Sequence, residues 1–376
     1  MADEAEDLIN ELLTGVVEDL DVPPALEATI QGLYDDVGRW MGDALDEGEW
    51  SIHPQGSGRL GTMVRRHDAE DYDIDSVVVR DVPKECVTQK DLKLTVGEAL
   101  GDYVKARAST TGLRFTSVSE DRRCFTLHSE DPIHMDVLPA VPDGGSSPTA
   151  LWIPDRDLRL WQPSDPVGFG NWFFGQMAVQ MKEAKESFAK RAQVDVEDVP
   201  NWQIRTVLQR AVQVLKAHRN CYFSAGDPNY ASSIVITATA AQAYHGETSL
   251  FEAVMNAAAL MPGFIGKDGA THVVLNPAHP DENFADLWSA ARAARFFEWI
   301  DDLQRTLAEA VNVRSGLHSA AETLGSRFGI GPVTKAVERL GIGRTTARTE
   351  GGLAVASSGV LGTAGIAVKR HTFYGA

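Results

Sequence analysis

Cysteine is scarce in this chain: Cys86, Cys124 and Cys221 are the three present, without C-x-x-C spacing and without histidine pairs nearby. That excludes a disulfide framework and a recognisable zinc site, and all three are expected to be reduced, structural thiols. Positive charge is also short. With 35 basic against 53 acidic residues the formal net charge is −18. Long nucleic acids bind largely through phosphates neutralised by Lys and Arg, so an extended DNA or RNA track is not expected. The pairs Arg65-Arg66 and Arg122-Arg123 read as solvated loop or strand ends. Long apolar runs are missing too: Ser232 to Ala243 and Gly352 to Ala367 are interrupted by polar residues or glycines and fall short of the ~20 residues that span a bilayer. The acidic start, Met1-Ala2-Asp3-Glu4-Ala5-Glu6-Asp7, is no basic signal-peptide region. A cytoplasmic protein without a membrane partner is expected. No G-x-x-x-x-G-K-[ST] occurs, so a P-loop enzyme is not indicated.

What is present is acidic and ordered. Tyr72-Asp73-Ile74-Asp75 is followed by Ser76-Val77-Val78-Val79. In a strand, residues i and i+2 share a face and lie about 6.6 Å apart, so Asp73 and Asp75 present two carboxylates to one side. Asp71 and Asp73 have the same spacing, but the apolar alternation follows directly on Asp73 and Asp75, leaving Asp71 at the solvated end of an approach loop. Asp136, between Met135 and Val137-Leu138, is expected on a neighbouring strand as the third carboxylate. Crowded anions need a cation. Oxygen donors of this kind suit hard divalent ions, Mg²⁺ above all with Mn²⁺ as an alternative. Two such ions about 3.5–4 Å apart activate an attacking hydroxyl and stabilise a leaving pyrophosphate.

Gly56-Ser57-Gly58-Arg59-Leu60-Gly61 also matches the dinucleotide fingerprint G-x-G-x-x-G. That fingerprint needs a helix of about three turns after the glycines and an acidic residue about 20 positions on. Thr62 to Tyr72 is polar and lacks a helical stripe, so the reading fails. A turn around Gln55-Gly56-Ser57 whose backbone N–H and hydroxyl cradle a triphosphate fits better.

In this order the motifs resemble the bacterial cGAS/DncV-like nucleotidyltransferases (CD-NTases) of CBASS anti-phage systems, within the DNA polymerase β-like superfamily. The matching pieces are Gln55-Gly56-Ser57 with Gly61-Thr62, Asp73-Ile74-Asp75, Asp136-Val137-Leu138-Pro139, Lys216-Ala217-His218-Arg219, Ser232-Ser233-Ile234, Asn276-Pro277, Asn283 to Trp288 and the closing Thr372-Phe373-Tyr374-Gly375. The resemblance implies an enzyme that makes a cyclic di- or trinucleotide from nucleoside triphosphates, ATP, GTP or others. Asp73, Asp75 and Asp136 would hold two Mg²⁺ ions, with Asp136 nearest the acceptor hydroxyl. Gln55, Gly56 and Ser57 would contact the donor triphosphate, Lys216 would neutralise its outer phosphates, and Ser232 or Ser233 would add a hydroxyl. It also implies a CBASS effector reached through the cyclic product, and a conjugating enzyme acting on the carboxy terminus. From the residues alone, Lys216 could equally be a solvated position beside the helical stripe Ile204, Leu208, Ala211, Val212 and Leu215. Gly58 replaces the bulkier residue that the family often carries, and no base-stacking tyrosine stands beside Ser232.

The chain is long enough for two lobes. The expected fold is mixed α/β (α+β), with a nucleotidyltransferase core over residues 1–160 and a helical lobe over 161–376. Leu26, Ile30, Leu33, Val37 and Met41 predict an amphipathic helix after Pro23-Pro24 that packs across both lobes. Strands are predicted at 73–80, 115–118, 123–127 and 133–138, with a helix at 89–106 among them. Further helices are predicted at 169–191, 200–219, 232–243, 250–260, 284–311 and, briefly, 331–340. The glycine-rich stretch 341–365 has no period and reads as mobile.

Overall fold

The acidic segment forms the centre of a sheet. The computed structural model describes residues 2–45, 50–65, 72–109, 114–131, 133–145, 147–157, 159–193, 195, 204–224, 226–312, 317–350, 354–355, 361–362 and 366–367. Strands β1 (Trp50–Gln55), β2 (Tyr72–Arg80), β3 (Phe115–Glu120), β4 (Phe125–Ser129) and β5 (Ile133–Pro142) lie in the order β1-β2-β5-β4-β3, extended by β6 (Leu151–Ile153) and β7 (Gln162–Ser164). Among the described residues of this sheet, β2–β5 is the one parallel pairing.

Alternation along these strands gives the sheet two different faces. Tyr72, Ile74 and Val78 of β2 join Ile133, Met135 and Val137 of β5 in a core covered by helices α2 (Pro24–Ala44) and α4 (Gln89–Arg107). Val77, Val79, Leu138 and Ala140 line the opposite face, against β6. Asp73, Asp75 and Asp136 share this second face by parity, turned away from α2 and α4.

After the one-turn helix α3 (Gly56–Leu60), the remaining helices build a second, larger core. They are α5 (Pro166–Gln176), α6 (Ala178–Ala192), α7 (Val207–Tyr222), α8 (Ser233–Ala243), α9 (Leu250–Leu260), α10 (Ala290–Val311), α11 (Leu317–Phe328) and α12 (Ile330–Glu350). A hairpin of β8 (Gly266–Asp268) and β9 (Thr271–Val273) and the pair β10 (Leu275–Asn276) and β11 (His279–Asn283) fill the gap before α10.

Several elements differ from expectation. Helix α1 (Ala2–Leu20) was not anticipated, yet Ile9, Leu12, Leu13, Val16, Val17 and Leu20 are all buried in the helical core. The helix expected to cross both lobes, α2, places Leu33, Val37 and Met41 in the sheet's core and reaches the helical part of the chain through Glu27, which accepts from Arg205 Nη2 at 3.2 Å. The segment 169–191 is two helices, because Met177 at φ −126°, ψ 21° leaves the helical region. Helix α10 starts at Ala290, where Ser289 Oγ accepts from the Arg292 N–H. The residues before it turn because Asn283 Oδ1 accepts from the N–H groups of Val274 and Ala285. Helix α7 begins at Val207 behind a capping box of Thr206 and Gln209. Residues 200–203 of the expected helix lie outside the described residues. The expected short helix at 331–340 runs on to Glu350, and three short strands, β12 (Ala354–Val355), β13 (Leu361–Gly362) and β14 (Ile366–Ala367), pair beyond it. Among the described residues no helix is long and apolar enough to cross a membrane.

Candidate active site

Register brings the three carboxylates together. Asp75 pairs with Asp136 across the parallel β2–β5 ladder. With Asp73 one strand step earlier, each offers an oxygen such that all three lie within 4.8 Å of one another. The turn before β2 closes on them from β1, where Gln55 sits opposite Asp75. Gly56 takes φ +63°, a left-handed conformation that glycine adopts without steric cost, and it brings the start of α3 against Asp75, whose carboxylate accepts from the Ser57 N–H. Thr62 N–H closes the turn on Ser57 O at 3.0 Å. Since α3 has a single turn, the dinucleotide-fingerprint reading is excluded here on geometry as well.

Helix α7 faces this turn from the other core, presenting a second stripe that is polar. Gln209, Gln213 and Lys216 follow helical spacing. They donate in turn to Leu60 O at 2.9 Å, Met63 O at 2.8 Å and Thr62 O at 3.1 Å. Lys216 also reaches Thr62 Oγ1 at 3.1 Å. At 4% exposure Lys216 is no solvated residue beside an apolar stripe; it is buried at the junction of the two cores.

The electrostatics are those of a site short of positive charge. Burial, then repulsion from Asp73 and Asp136, pushes the Asp75 carboxyl up to about 8, against the opposing pull of Lys216 and the Ser57 N–H. Burial, then Arg219, pushes the Lys216 ammonium down to about 7, against the pull of Asp75 and Asp73. On both groups desolvation outweighs their mutual attraction. Three carboxylates in which one cannot ionise freely form an all-oxygen donor set that a hard divalent cation completes. The residues present therefore fit a metal ion.

The other candidate residues fall into two groups. Gln55 donates through Nε2 to Ser76 O at 3.1 Å, tying β1 to β2. Ser232 is the N-cap residue of α8 with its side chain unbonded, and its Oγ is buried with no partner among the described residues. Ser233 Oγ instead accepts from Arg219 Nη1 at 2.8 Å. Among the described residues no hydrogen bond or ion pair links Ser232 or Ser233 to the triad. Residues that sequence reasoning left without a role also reach the site. His134 sits opposite Asp73, with Nε2 3.4 Å from Asp73 Oδ1, and Thr126 bonds Asp136 at 2.6 Å. His134 shares the parity of Asp136, a signal that was available; Thr126 is revealed only by the β4–β5 register. The three cysteines are free thiols.

No protein-family model matches the chain. A c-di-GMP synthase of Roseivirga ehrenbergii is 25% identical over 99% of this chain and 98% of its own length. The cyclic dinucleotide synthase CdnG of Bradyrhizobium diazoefficiens is 26% identical over 88% of the chain and 83% of the relative. The structure of that CdnG in complex with GTP covers 87% of this chain and 97% of its own at a TM-score of 0.69 and 24% identity. The Vibrio cholerae cyclic AMP-GMP synthase DncV with a nonhydrolyzable GTP covers 87% and 86% at a TM-score of 0.53 and 18% identity. Sheet and facing helical core thus share the mixed α/β fold of these synthase structures. Along nearly its whole length the chain is similar to synthases of cyclic dinucleotides, one of them described as a CD-NTase.

Proposed function

We propose that this chain joins two molecules of GTP into a cyclic dinucleotide that signals phage infection to a CBASS effector. The observation that carries the reading is the triad of Asp73, Asp75 and Asp136 facing buried Lys216 across the junction of the two cores. The choice of GTP rests on one relative named for c-di-GMP synthesis and another captured with GTP. We place the acidic residues in a core lobe spanning 1–160, whose helix α1 packs into the helical core, and Lys216 in a helical lobe spanning 161–376, in a cytoplasmic enzyme.

In this reading Asp73, Asp75 and Asp136 hold two Mg²⁺ ions, which Mn²⁺ can replace. When bound, the ions supply charge stabilisation at the attacking and leaving oxygens. The chain's own residues do the positioning. Gln55 fixes the entry to the turn, and the Gly56-Ser57 backbone and the Ser57 hydroxyl take the donor triphosphate. Lys216 exchanges its bonds to Thr62 for the outer phosphates. Ser232 supplies a hydroxyl, and Ser233 keeps the start of α8 in place through Arg219. Asp136 accepts or orients the proton of the acceptor ribose hydroxyl. That oxygen forms the new P–O bond at the donor α-phosphate as pyrophosphate leaves, and the linear product turns in the site for a second, ring-closing attack. Alignment and electrostatics dominate such a reaction.

The carboxy-terminal residues 371–376, expected to serve a conjugating enzyme, lie outside the described residues. The test of the function is incubation of the purified protein with all four labelled ribonucleoside triphosphates and Mg²⁺ or Mn²⁺, followed by mass analysis of phosphatase-resistant products. A cyclic product containing guanine is expected. No product from nucleotides alone, together with nucleotidyl transfer to an antibiotic, a protein or an RNA end, would overturn the reading.

A further inference from the structure

Asp136 is held from behind. On β4, Thr126 lies opposite it across an antiparallel pairing, and Thr126 Oγ1 donates to Asp136 Oδ1 at 2.6 Å, the length of a charge-assisted O–H···O⁻ bond. The same hydroxyl oxygen lies 3.1 Å from Asp121 Oδ2, but a hydroxyl carries one proton, and the shorter contact takes it. Cys124, in the turn between β3 and β4, also bonds the Asp136 carboxylate. The turn itself is anchored by Lys93 of α4. That buried ammonium donates to Asp121 O at 2.7 Å and Arg122 O at 3.3 Å and pairs with Glu120 at 2.8 Å. A line of fixed groups therefore runs from α4 through the turn to one oxygen of Asp136.

Such a line has a purpose at this position. Asp136 stands beside two other carboxylates that repel it, and a free aspartate side chain would rotate away from them. We propose that Thr126 is a positioning residue for the nucleotidyl transfer: its hydroxyl holds the Asp136 carboxylate in the orientation that completes the ligand set with Asp73 and Asp75. The inference rests on the metal-binding role proposed for the triad. Partners of this kind, hydrogen-bonded to a ligand rather than to the ion, typically change metal affinity or activity about 10- to 100-fold when removed.

The experiment compares Thr126→Val, which removes the O–H at similar shape, with Thr126→Ser, which keeps it. Thr126→Ala removes the same O–H without a new methyl group and serves if the valine variant folds poorly by near-ultraviolet circular dichroism. Two quantities are read: Mn²⁺ binding to the nucleotide-free protein by electron paramagnetic resonance, and kcat at saturating GTP. The valine or alanine variant should bind Mn²⁺ more weakly and lose kcat by about 10- to 100-fold, and the serine variant should recover both. Wild-type Mn²⁺ affinity and kcat without the hydroxyl would overturn the proposal. So would a serine variant as impaired as the valine one, since packing would then be the cause. Asp136→Asn separates the two levels. If it loses Mn²⁺ binding while Thr126→Val keeps it, only the role of Thr126 falls; if it retains both Mn²⁺ binding and synthesis, the metal reading falls and Thr126 with it.

Discussion

Gly56 lies with its Cα against the carboxylate of Asp75: a β-carbon built there would overlap Asp75 Oδ2 and come within 2.8 Å of Asp75 Cβ. The phosphate-binding turn and the acidic strand are thus one unit, joined by the absence of a side chain. Gly56→Ala should cost about 1–2 kcal/mol for the left-handed backbone alone and push Asp75 out of register with Asp136. Since a misplacement of about 1 Å can cost ~100-fold in rate, pyrophosphate release should fall by at least that factor while the melting temperature drops modestly. A variant with wild-type turnover would show that the close approach is incidental.

The opposed shifts of Asp75 and Lys216 make the stability of the metal-free protein depend on pH in a distinctive way. The folded Asp75 carboxyl titrates near 8 against about 3.9 unfolded. Between those values the folded state binds the extra proton, so its contribution to stability falls as pH rises. The folded Lys216 ammonium titrates near 7 against about 10.4 unfolded. There the unfolded state binds the extra proton, and the contribution rises with pH. The pair should therefore be least favourable around pH 7–8. Melting curves in EDTA from pH 5 to 10 should show Asp75→Asn removing the falling limb. Asp73→Asn with Asp75→Asn should abolish synthesis without lowering the metal-free melting temperature, because the like-charge repulsion is gone. Parallel curves for wild type and Asp75→Asn would refute the assignment.

Much of this site is legible in the sequence because a strand's period of two assigns faces residue by residue. Asp73, Asp75 and the valines after them need no tertiary information to share a side. Lys216 is different. The apolar stripe of α7 is readable, but Gln209, Gln213 and Lys216 form a second stripe whose meaning depends on the backbone carbonyls of Leu60, Met63 and Thr62, which come from the segment that follows β1. Thr126 is hidden for the same reason. Helix α1 is legible in principle: Ile9, Leu12, Leu13, Val16, Val17 and Leu20 follow a helical period immediately behind the acidic start. Gly341 and Gly343 continue helix α12 despite their poor propensity, so composition alone does not mark where that helix ends.

Lys216→Met tests the donor site while preserving most of the buried volume. A charge-assisted contact to phosphate is worth roughly 1.5–3 kcal/mol, so the apparent KM for GTP should rise about 10- to 150-fold with Mn²⁺ binding to the nucleotide-free protein retained. The variant also leaves Thr62 O without its partner, a loss of about 1–3 kcal/mol that urea denaturation would register. An unchanged KM alongside that stability loss would confine Lys216 to pinning the turn.

The two ends of the described helical core meet where Gly15 of α1 passes Ala336 of α12, and a β-carbon on Gly15 would come within 2.8 Å of Ala336 Cβ. Arg339 Nη1 donates to Gly15 O at 2.6 Å, and Lys335 pairs with Asp19 at 3.0 Å on the same seam. The absent side chain sets the spacing at which these bonds form. Gly32 of α2 is also helical but exposed, with nothing within 4 Å of its β-carbon position. Alanine should therefore act in opposite directions at the two sites. At Gly32 it should stabilise by about 0.5–1 kcal/mol through helix propensity. At Gly15 the overpacking should cost about 1–3 kcal/mol, outweighing the same propensity gain. Urea midpoints of Gly15→Ala and Gly32→Ala, compared at equal m-value, should move apart from wild type; equal gains at both positions would mean that α1 and α12 can separate without cost, and that the helical core does not depend on their seam.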